Sequence, residues 1–405
     1  MSESTRALLR SKLHWGGLLV SVMLIASVLT LGIDSSASAA TGWNHETLDA
    51  GVSTGEGLST IYWPVYYQHH VFNSGIESSN RVLRHGWYQP GFSNWAFETL
   101  DPGNSTGIAS ATGLWSYQHH VFNTGSESGS PVLRHGWYQP GFSNWAFETL
   151  DAGASTGTDT AYAEYSGQQH VFAHGLSPTG QDILRHGYYD LGVGTWIFET
   201  LDEGFSEGSA LSAMVWRDQL HVFGGVSNRA QGLRHGWFEP GTGWQFETLA
   251  RDGVESGFSS TYATAAILTP DGRQNVWFSI WTYNGVGNSP HSLGHGWYDE
   301  SASAWRFEVR PGGDGLGPSV TQYGSHPEVF DYACLKYSPS GPGLFHEFWD
   351  GTDWIREVRS ASCPKMAVVP IGDPTASATY PPFNQLHAFY AQDPAAMGHF
   401  WYDPD

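Results

Sequence analysis

Apolar and polar residues alternate along the chain in short runs, broken by clusters of Gly, Pro, Asn, Asp and Ser. That is the pattern of strands joined by turns. In NWAFETL (94–100) an extended backbone puts Trp95, Phe97 and Thr99 on one face and Ala96, Glu98 and Leu100 on the other. Apolar groups stand on both faces, which fits a sheet held between neighbouring sheets rather than one turned to water. Four strands are predicted in this region, at about 58–65, 68–73, 82–88 and 94–100. Beyond the first forty residues no helical period is sustained, so a helix bundle is not expected.

The strand pattern repeats. LRHGWYQPGFSNWAFETL at 83–100 recurs without change at 133–150. Trp-x-x-Glu occurs at Trp43/Glu46, Trp95/Glu98, Trp145/Glu148, Trp196/Glu199, Trp244/Glu247, Trp305/Glu308 and Trp354/Glu357, at spacings of 52, 50, 51, 48, 61 and 49 residues. A second element reads HGWY at 85–88 and 135–138, HGYY at 186–189, HGWF at 235–238 and HGWY at 295–298, then HEFW at 346–349 and HFWY at 399–402. A third, His-Val-Phe, stands at 70–72, 120–122, 170–172 and 221–223, with Asn-Val-Trp at 275–277, Glu-Val-Phe at 328–330 and His-Ala-Phe at 387–389. Seven units of about 50 residues, each with room for four short strands, predict an all-β, seven-bladed β-propeller with four antiparallel strands per blade. An open β-solenoid is the alternative, but its terminal repeats would be distinct caps and these look ordinary.

Turn lengths predict how the ring closes. The short QPGFSN turn (89–94) should pair the third and fourth strands of a unit as a hairpin, while LDPGNSTG (100–107) suits the crossing to the next blade. The strand at 43–48 is then an outer strand without partners in its own repeat, and a third-type strand at 399–402 lacks its fourth. The N-terminal strand is therefore expected to complete the last blade.

Composition agrees and narrows the function. The 405 residues include 50 Gly and 15% aromatics, against only 14% charged residues, with 18 Lys+Arg and 39 Asp+Glu for a net charge of −21. Disorder is excluded by the aromatic content. Nucleic-acid binding needs a basic stripe that the chain lacks, and acidic membranes would repel it. A neutral ligand would be indifferent to the charge.

Residues 1–39 read as a signal peptide: Arg6, Arg10 and Lys12 precede an apolar run from Gly16 to Ile33 and then small residues ending in Ala39-Ala40. The run is also just long enough to be an uncleaved anchor. Cleavage would leave residues 40–405 as a single propeller, net charge near −22, secreted to the exterior. In that setting the only two cysteines, Cys334 and Cys363, are expected to form a disulfide.

Sugar recognition needs an aromatic plate for the C–H face and polar groups for the hydroxyls, set so that the wrong sugar leaves them unpaired. Candidate plates are Trp87, Trp137, Tyr188, Trp237 and Trp297. Arg84, Arg134, Arg185 and Arg234 can donate as forks. His85, His135, His186, His235 and His295 are neutral donors and acceptors, and Tyr88, Tyr138, Tyr189 and Tyr298 bring hydroxyls where unit four has Phe238. Each has a packing alternative. The HGW tryptophans and histidines serve equally as core wedges and buried clamps. Gly86 leaves a dent for a ligand edge or for a neighbouring side chain. Trp-x-x-Glu reads as architecture, and an Arg84–Glu98 ion pair is plausible across the hairpin. If arginine marks working sites, units one to four carry them and units five to seven close the ring.

The ordered landmarks, QxHVF, LRHGWY and WxFExLD, resemble the seven-bladed fucose-binding lectins of insect-pathogenic bacteria (the Photorhabdus type), over about 43–403. The resemblance implies a calcium-independent lectin without cofactor, with shallow sugar sites around the ring for fucosylated or O-methylated glycans, in some cases a homo-oligomer. Two other functions stay open. A propeller of this kind also serves as a scaffold for a protein partner. A propeller glycosidase would need carboxylates set apart from the repeat, whereas Asp49, Asp101, Asp151 and Asp202 recur with it as turn formers, so no catalysis and no metal site are expected. Expression in a secreting host should give a mature chain beginning at Ala40 by N-terminal sequencing; an intact Met1 on a membrane-bound product would establish the anchor instead.

Overall fold

A computed structural model describes residues 42–404 except 90–93, 143, 206–209, 227–231, 250–257, 261–262, 283–290, 311–315, 334–342, 361–374, 381–383 and 394–395. The expected leader at 1–39 lies outside the described residues. Seven separate antiparallel sheets follow one another, six formed from consecutive strands. Blade 1 comprises Ser59–Trp63, Gln68–Glu77, Asn80–Tyr88 and Ala96–Leu100 from the inner to the outer strand. The two middle strands run longer than the alternation suggested, because the ladder continues to the tight Glu77/Asn80 turn. Blade 5 carries an additional short inner strand, Phe258–Ser260, beside Thr264–Leu268.

The seventh sheet is discontinuous in sequence. Trp43–Leu48 pairs antiparallel with Ala396–Tyr402, with Trp43 opposite Tyr402 and Glu46 opposite His399. The N-terminal strand thus closes the last blade. Each inner strand packs on the next: Ser59–Trp63, Ser105–Trp115, Ser155–Tyr165, Ser212–Trp216, Thr264–Leu268, Leu316–Tyr323, Thr375–Tyr380, and back to the first. The chain is a seven-bladed β-propeller.

The core consists of apolar layers between blades, fed by both faces of each sheet. Phe72, Leu83 and Leu100 of blade 1 meet Val121, Trp145 and Phe147 of blade 2. The dent at Gly86 is filled from its own hairpin: a Cβ there would come within 2.3 Å of the Phe97 ring. Gly136/Phe147, Gly187/Phe198, Gly236/Phe246 and Gly296/Phe307 repeat the pair. Blade 7 inverts it, with Phe400 in the glycine's place and its ring 4.5 Å from that of His45. Blade 6 replaces it with a buried ion pair, Glu347–Arg356. The substitutions are complementary, so each sheet stays filled.

A second device joins successive blades. Arg84 Nε and Nη2 donate to both oxygens of Asp49, at 2.8 and 2.9 Å, from blade 1 to the end of the outer strand of blade 7. Arg185–Asp151 and Arg234–Asp202 do the same around the ring, and Arg134 meets Asp101 through Oδ2. Arg84 also reaches Glu77 and Thr99, while Glu98 lies across from His85; the Arg84–Glu98 pair is not formed. The turn-forming aspartates are thus also ion-pair partners. Where the spoke is lost, both partners go together: Ala250 with Gly294, Arg310 with Phe345, Arg359 with Gly398. Phe278 and Tyr390 then occupy the space beside the two glycines.

The disulfide expectation is corrected. Cys334 and Cys363 lie outside the described residues, and no disulfide is found among the described residues. The strands that lead to them, His326–Ala333 and Trp354–Ser360, are separated in their sheet by Gly343–Trp349. Cysteine count and expected export could not reveal that intervening strand.

Arg84→Leu leaves Asp49 buried without its partner and should cost about 3 kcal/mol in denaturant unfolding. Asp49→Ala combined with Arg84→Leu should cost clearly less than the two single changes added together. Additive costs would show that the spoke carries no coupling.

Candidate functional site

Grooves open between blades at the end of the ring that carries the first-to-second and third-to-fourth strand turns. The groove between blades 1 and 2 holds about 670 Å³. Blade 1 contributes Trp63 from the end of its inner strand, Gln68 and His70 from the second, His85 and Trp87 from the third and Glu98 from the outer strand. Blade 2 contributes Tyr138, Asn144 and Trp145. Strand alternation explains the selection, since Leu83, His85 and Trp87 share one face and Arg84, Gly86 and Tyr88 the other. Two further grooves follow the plan: one of about 530 Å³ between blades 4 and 5, with Trp216, Gln219, His221, His235, Trp237, Glu247, Tyr298 and Trp305, and one of about 310 Å³ between blades 5 and 6.

Beneath each mouth runs a buried polar row. His85 Nδ1 is 2.9 Å from Glu98 Oε1, and His85 Nε2 is 2.8 Å from His70 Nδ1. With the carboxylate accepting, two neutral rings satisfy both bonds in one way: each imidazole carries its proton on Nδ1 and donates toward Glu98. The row recurs as His120–His135–Glu148, His170–His186–Glu199, His221–His235–Glu247 and His387–His399–Glu46, all at 2.8–3.0 Å. Asn275 takes the first position in blade 5 and Glu328 in blade 6. Stacking reinforces the row, with His85 lying between Phe72 at 4.6 Å and Trp87 at 5.2 Å, nearly parallel to both.

Burial holds these histidines below their ordinary value. His85 is lowered by desolvation first, opposed by its bond to Glu98. His120, His170 and His221 fall from 6.5 to about 3, by desolvation first and then by the adjoining imidazole. Glu199 is lowered, first by its bond to His186, with a smaller contribution from the Trp244 indole of the next blade. Trp-x-x-Glu therefore joins two blades as well as anchoring the row.

The sequence-selected residues divide between two places. His85 and Trp87 meet in the groove, as do His235 and Trp237, each opposite a tyrosine of the following blade. In the blade 2–3 interface His135 stacks on Trp137 and faces Trp196, while Tyr189 lies 5.6 Å from Trp115. In the next interface His186 stacks on Tyr188, and Phe238 faces Tyr165 at 6.2 Å. Tyr88 packs on Trp95, toward blade 7, so each tyrosine serves the interface before its own blade. The structure places Arg84, Arg134, Arg185 and Arg234 in the aspartate spokes; none of the four lines a described groove, although Asp101, the partner of Arg134, lines the groove between blades 1 and 2. The third-strand arginine thus does not mark which grooves exist: blade 5 has Gly294 at that position, and the blade 5–6 groove is present.

Sequence reasoning passed over Trp63, Gln68, His70 and Glu98. The signal was present as an aromatic residue, a turn and Gln-x-His, repeated at Trp63/Gln68/His70, Trp115/Gln118/His120, Tyr165/Gln168/His170 and Trp216/Gln219/His221. What the spacing could not show is that the wall facing Trp87 comes from the next repeat.

No protein-family model and no curated protein sequence matches the chain. Among solved structures, the α-L-arabinanase of Penicillium chrysogenum, determined with arabinobiose, has a TM-score of 0.50 at 9% identity, over 75% of this chain and 94% of that one. AofleA of Arthrobotrys oligospora gives 0.49 at 11% identity, covering 80% of this chain and 92% of that one. The Aleuria aurantia lectin, solved as a point mutant in complex with Fucα1-6GlcNAc, gives 0.46 at 13%, covering 80% and 99%. These are likenesses of fold. The finer resemblance to the bacterial lectin family rests on the repeat motifs alone. A β-propeller with aromatic clusters along its blade interfaces is consistent with carbohydrate binding.

The histidine rows make stability depend on pH. An unfolded histidine takes up its proton near 6.5, whereas folded His120, His170 and His221 resist it until about 3. Their contribution is whole above pH 6.5 and is lost as the pH falls toward 3, at about 1.4 kcal/mol per pH unit for each. Calorimetry should show Tm falling steeply below pH 6.5, and less steeply in His221→Asn, which copies blade 5. An unchanged Tm at pH 5 would contradict neutral, buried rows.

Proposed function

We propose that the chain is a secreted, multivalent carbohydrate-binding protein whose sugars sit in the grooves between blades. The observation that carries this reading is the recurrence of one groove. Trp87 and Trp237 stand over the same histidine–glutamate row, faced by tyrosine and tryptophan of the following blade. An indole offers its face to sugar C–H groups, and the Gln and Glu side chains offer acceptors and donors for hydroxyls. Because the carboxylate and the histidines are fixed by one another, the polar pattern is set before the ligand arrives, which reduces the ordering cost of binding. Several weak sites on one ring gain by avidity on a glycosylated surface.

The motif resemblance assigns fucosylated or O-methylated sugars, for which the indole walls suit a methyl group. In this reading the arginines of the spokes hold the blades in position rather than touching sugar, and the protein binds without turnover. A glycan array on exported protein, with chelator present, should give signal on fucosylated or O-methylated glycans that the free sugar competes. By titration calorimetry, Trp87→Ala should remove about one site per chain, and Trp237→Ala another, whereas Arg84→Lys should keep the number of sites. A silent array with folded protein would overturn the reading in favour of a protein-binding scaffold. Release of reducing sugar would overturn binding without turnover.

A further inference from the structure

The groove-bearing end of the ring is divided by charge. Over blades 1–3 its described turn residues, 64–67, 89, 94–95, 116–117, 139–142, 144–145, 166–167 and 190–194, contain a single charged residue, Asp190, whose Oδ1 accepts from the backbone N–H groups of Gly192 and Val193. Over blades 4–6 the corresponding turns carry Arg217, Asp218, Asp271, Arg273, Asp350 and Asp353. This charge-poor arc is also where large apolar side chains stand out into solvent: Tyr117 is 81% exposed, Val193 69%, Phe142 62% and Tyr67 58%. Tyr117 and Tyr67 occupy left-handed positions of tight turns, with φ of 65° and 54°, so a strained position is spent on a projecting ring. None of the four belongs to the apolar clusters between blades.

We infer that this arc seats on an uncharged lipid surface, and that the grooves within it take the sugars of glycolipids set in that surface. The second clause rests on the carbohydrate-binding reading; the first does not. The arc and the groove are one construction: Tyr66 packs at 4.9 Å on Trp63, which lines the blade 1–2 groove, and Phe142 lies two residues before Asn144, which lines the same groove. Anything that covers the tips also covers the groove mouth. A second copy of the chain would seal the groove, whereas a bilayer presenting headgroup sugars would fill it. Tyrosine and phenylalanine on short turns, with all but one of the turn charges kept to the far side, match the interfacial zone of a bilayer. The net charge of −21 selects zwitterionic over anionic lipid.

The test compares the exported protein with a Tyr117→Ser, Phe142→Ser, Val193→Ser variant, all at solvent-facing tips. Vesicles are phosphatidylcholine alone, phosphatidylcholine with a fucosylated neutral glycosphingolipid, and phosphatidylcholine with phosphatidylserine; the free glycan headgroup is titrated in solution. The expected result is measurable partition of the native protein onto plain phosphatidylcholine, weakened by phosphatidylserine and lost in the variant. On glycolipid vesicles the variant should bind about tenfold more weakly or worse, with unchanged affinity for the free headgroup. Equal vesicle binding by both proteins overturns the inference, as does a dimer in sedimentation that the variant abolishes. If neither protein binds the free headgroup, the sugar reading fails. The plain vesicles then still decide the lipid seat: partition lost in the variant supports it, and no partition overturns it.

Discussion

Two imidazoles and a carboxylate in a row, repeated in five of the seven blades, are the constraint on which the rest of this molecule depends. The row joins the second, third and outer strands of one sheet across its width, at 2.8 Å and 2.9 Å in blade 1. Its rings stack with Phe72 below and Trp87 above, so the row also fixes the angle of the indole that faces the groove. Because the carboxylate is ionised and the histidines are buried and neutral, every proton in the row has an assigned position. The row repeats around the ring, so the same polar link ties three strands together in each blade that carries it. The groove is the solvent-facing end of this structural element.

The degenerate repeats show how a propeller tolerates drift. Blade 6 replaces a Gly/Phe pair by Glu347/Arg356, and blade 7 reverses the bulk with Phe400/His45. Spoke arginines and their aspartates disappear together. A single change at any of these positions would leave a cavity or an unpaired charge, whereas the paired change keeps the interior filled and neutralised. Units five to seven have thus diverged in side chains without leaving the ring, and the blade 5–6 groove persists with Arg273 and Asp271 among its lining residues.

Much of the fold was legible because it depends on periodicity. Three landmarks repeated in order fix the blade count, and an unpaired outer strand at Trp43 fixes the closure. The alternation of LRHGWY separated His85 and Trp87 from Arg84 correctly, yet the conclusion that all four residue types converge on one ligand did not follow from it. Arg84 faces the spoke aspartate of the preceding blade, and Tyr138 faces the groove of the preceding repeat. Contacts across blades join residues about fifty positions apart, with no pattern inside one repeat to announce them. The joint loss of Asp and Arg in later units was the one sequence signal for the spoke. The disulfide expectation rested on the count of cysteines and the expected export, with no pattern in the repeat to support it.

The most direct test of the account is a crystal structure of the exported protein soaked with the best competing sugar. The account predicts sugar density between blades 1 and 2 and between blades 4 and 5, lying against Trp87 and Trp237 within hydrogen-bonding reach of Glu98 and Glu247. Density confined to the central channel, or beside the Arg84–Asp49 spoke with the grooves empty, would contradict it.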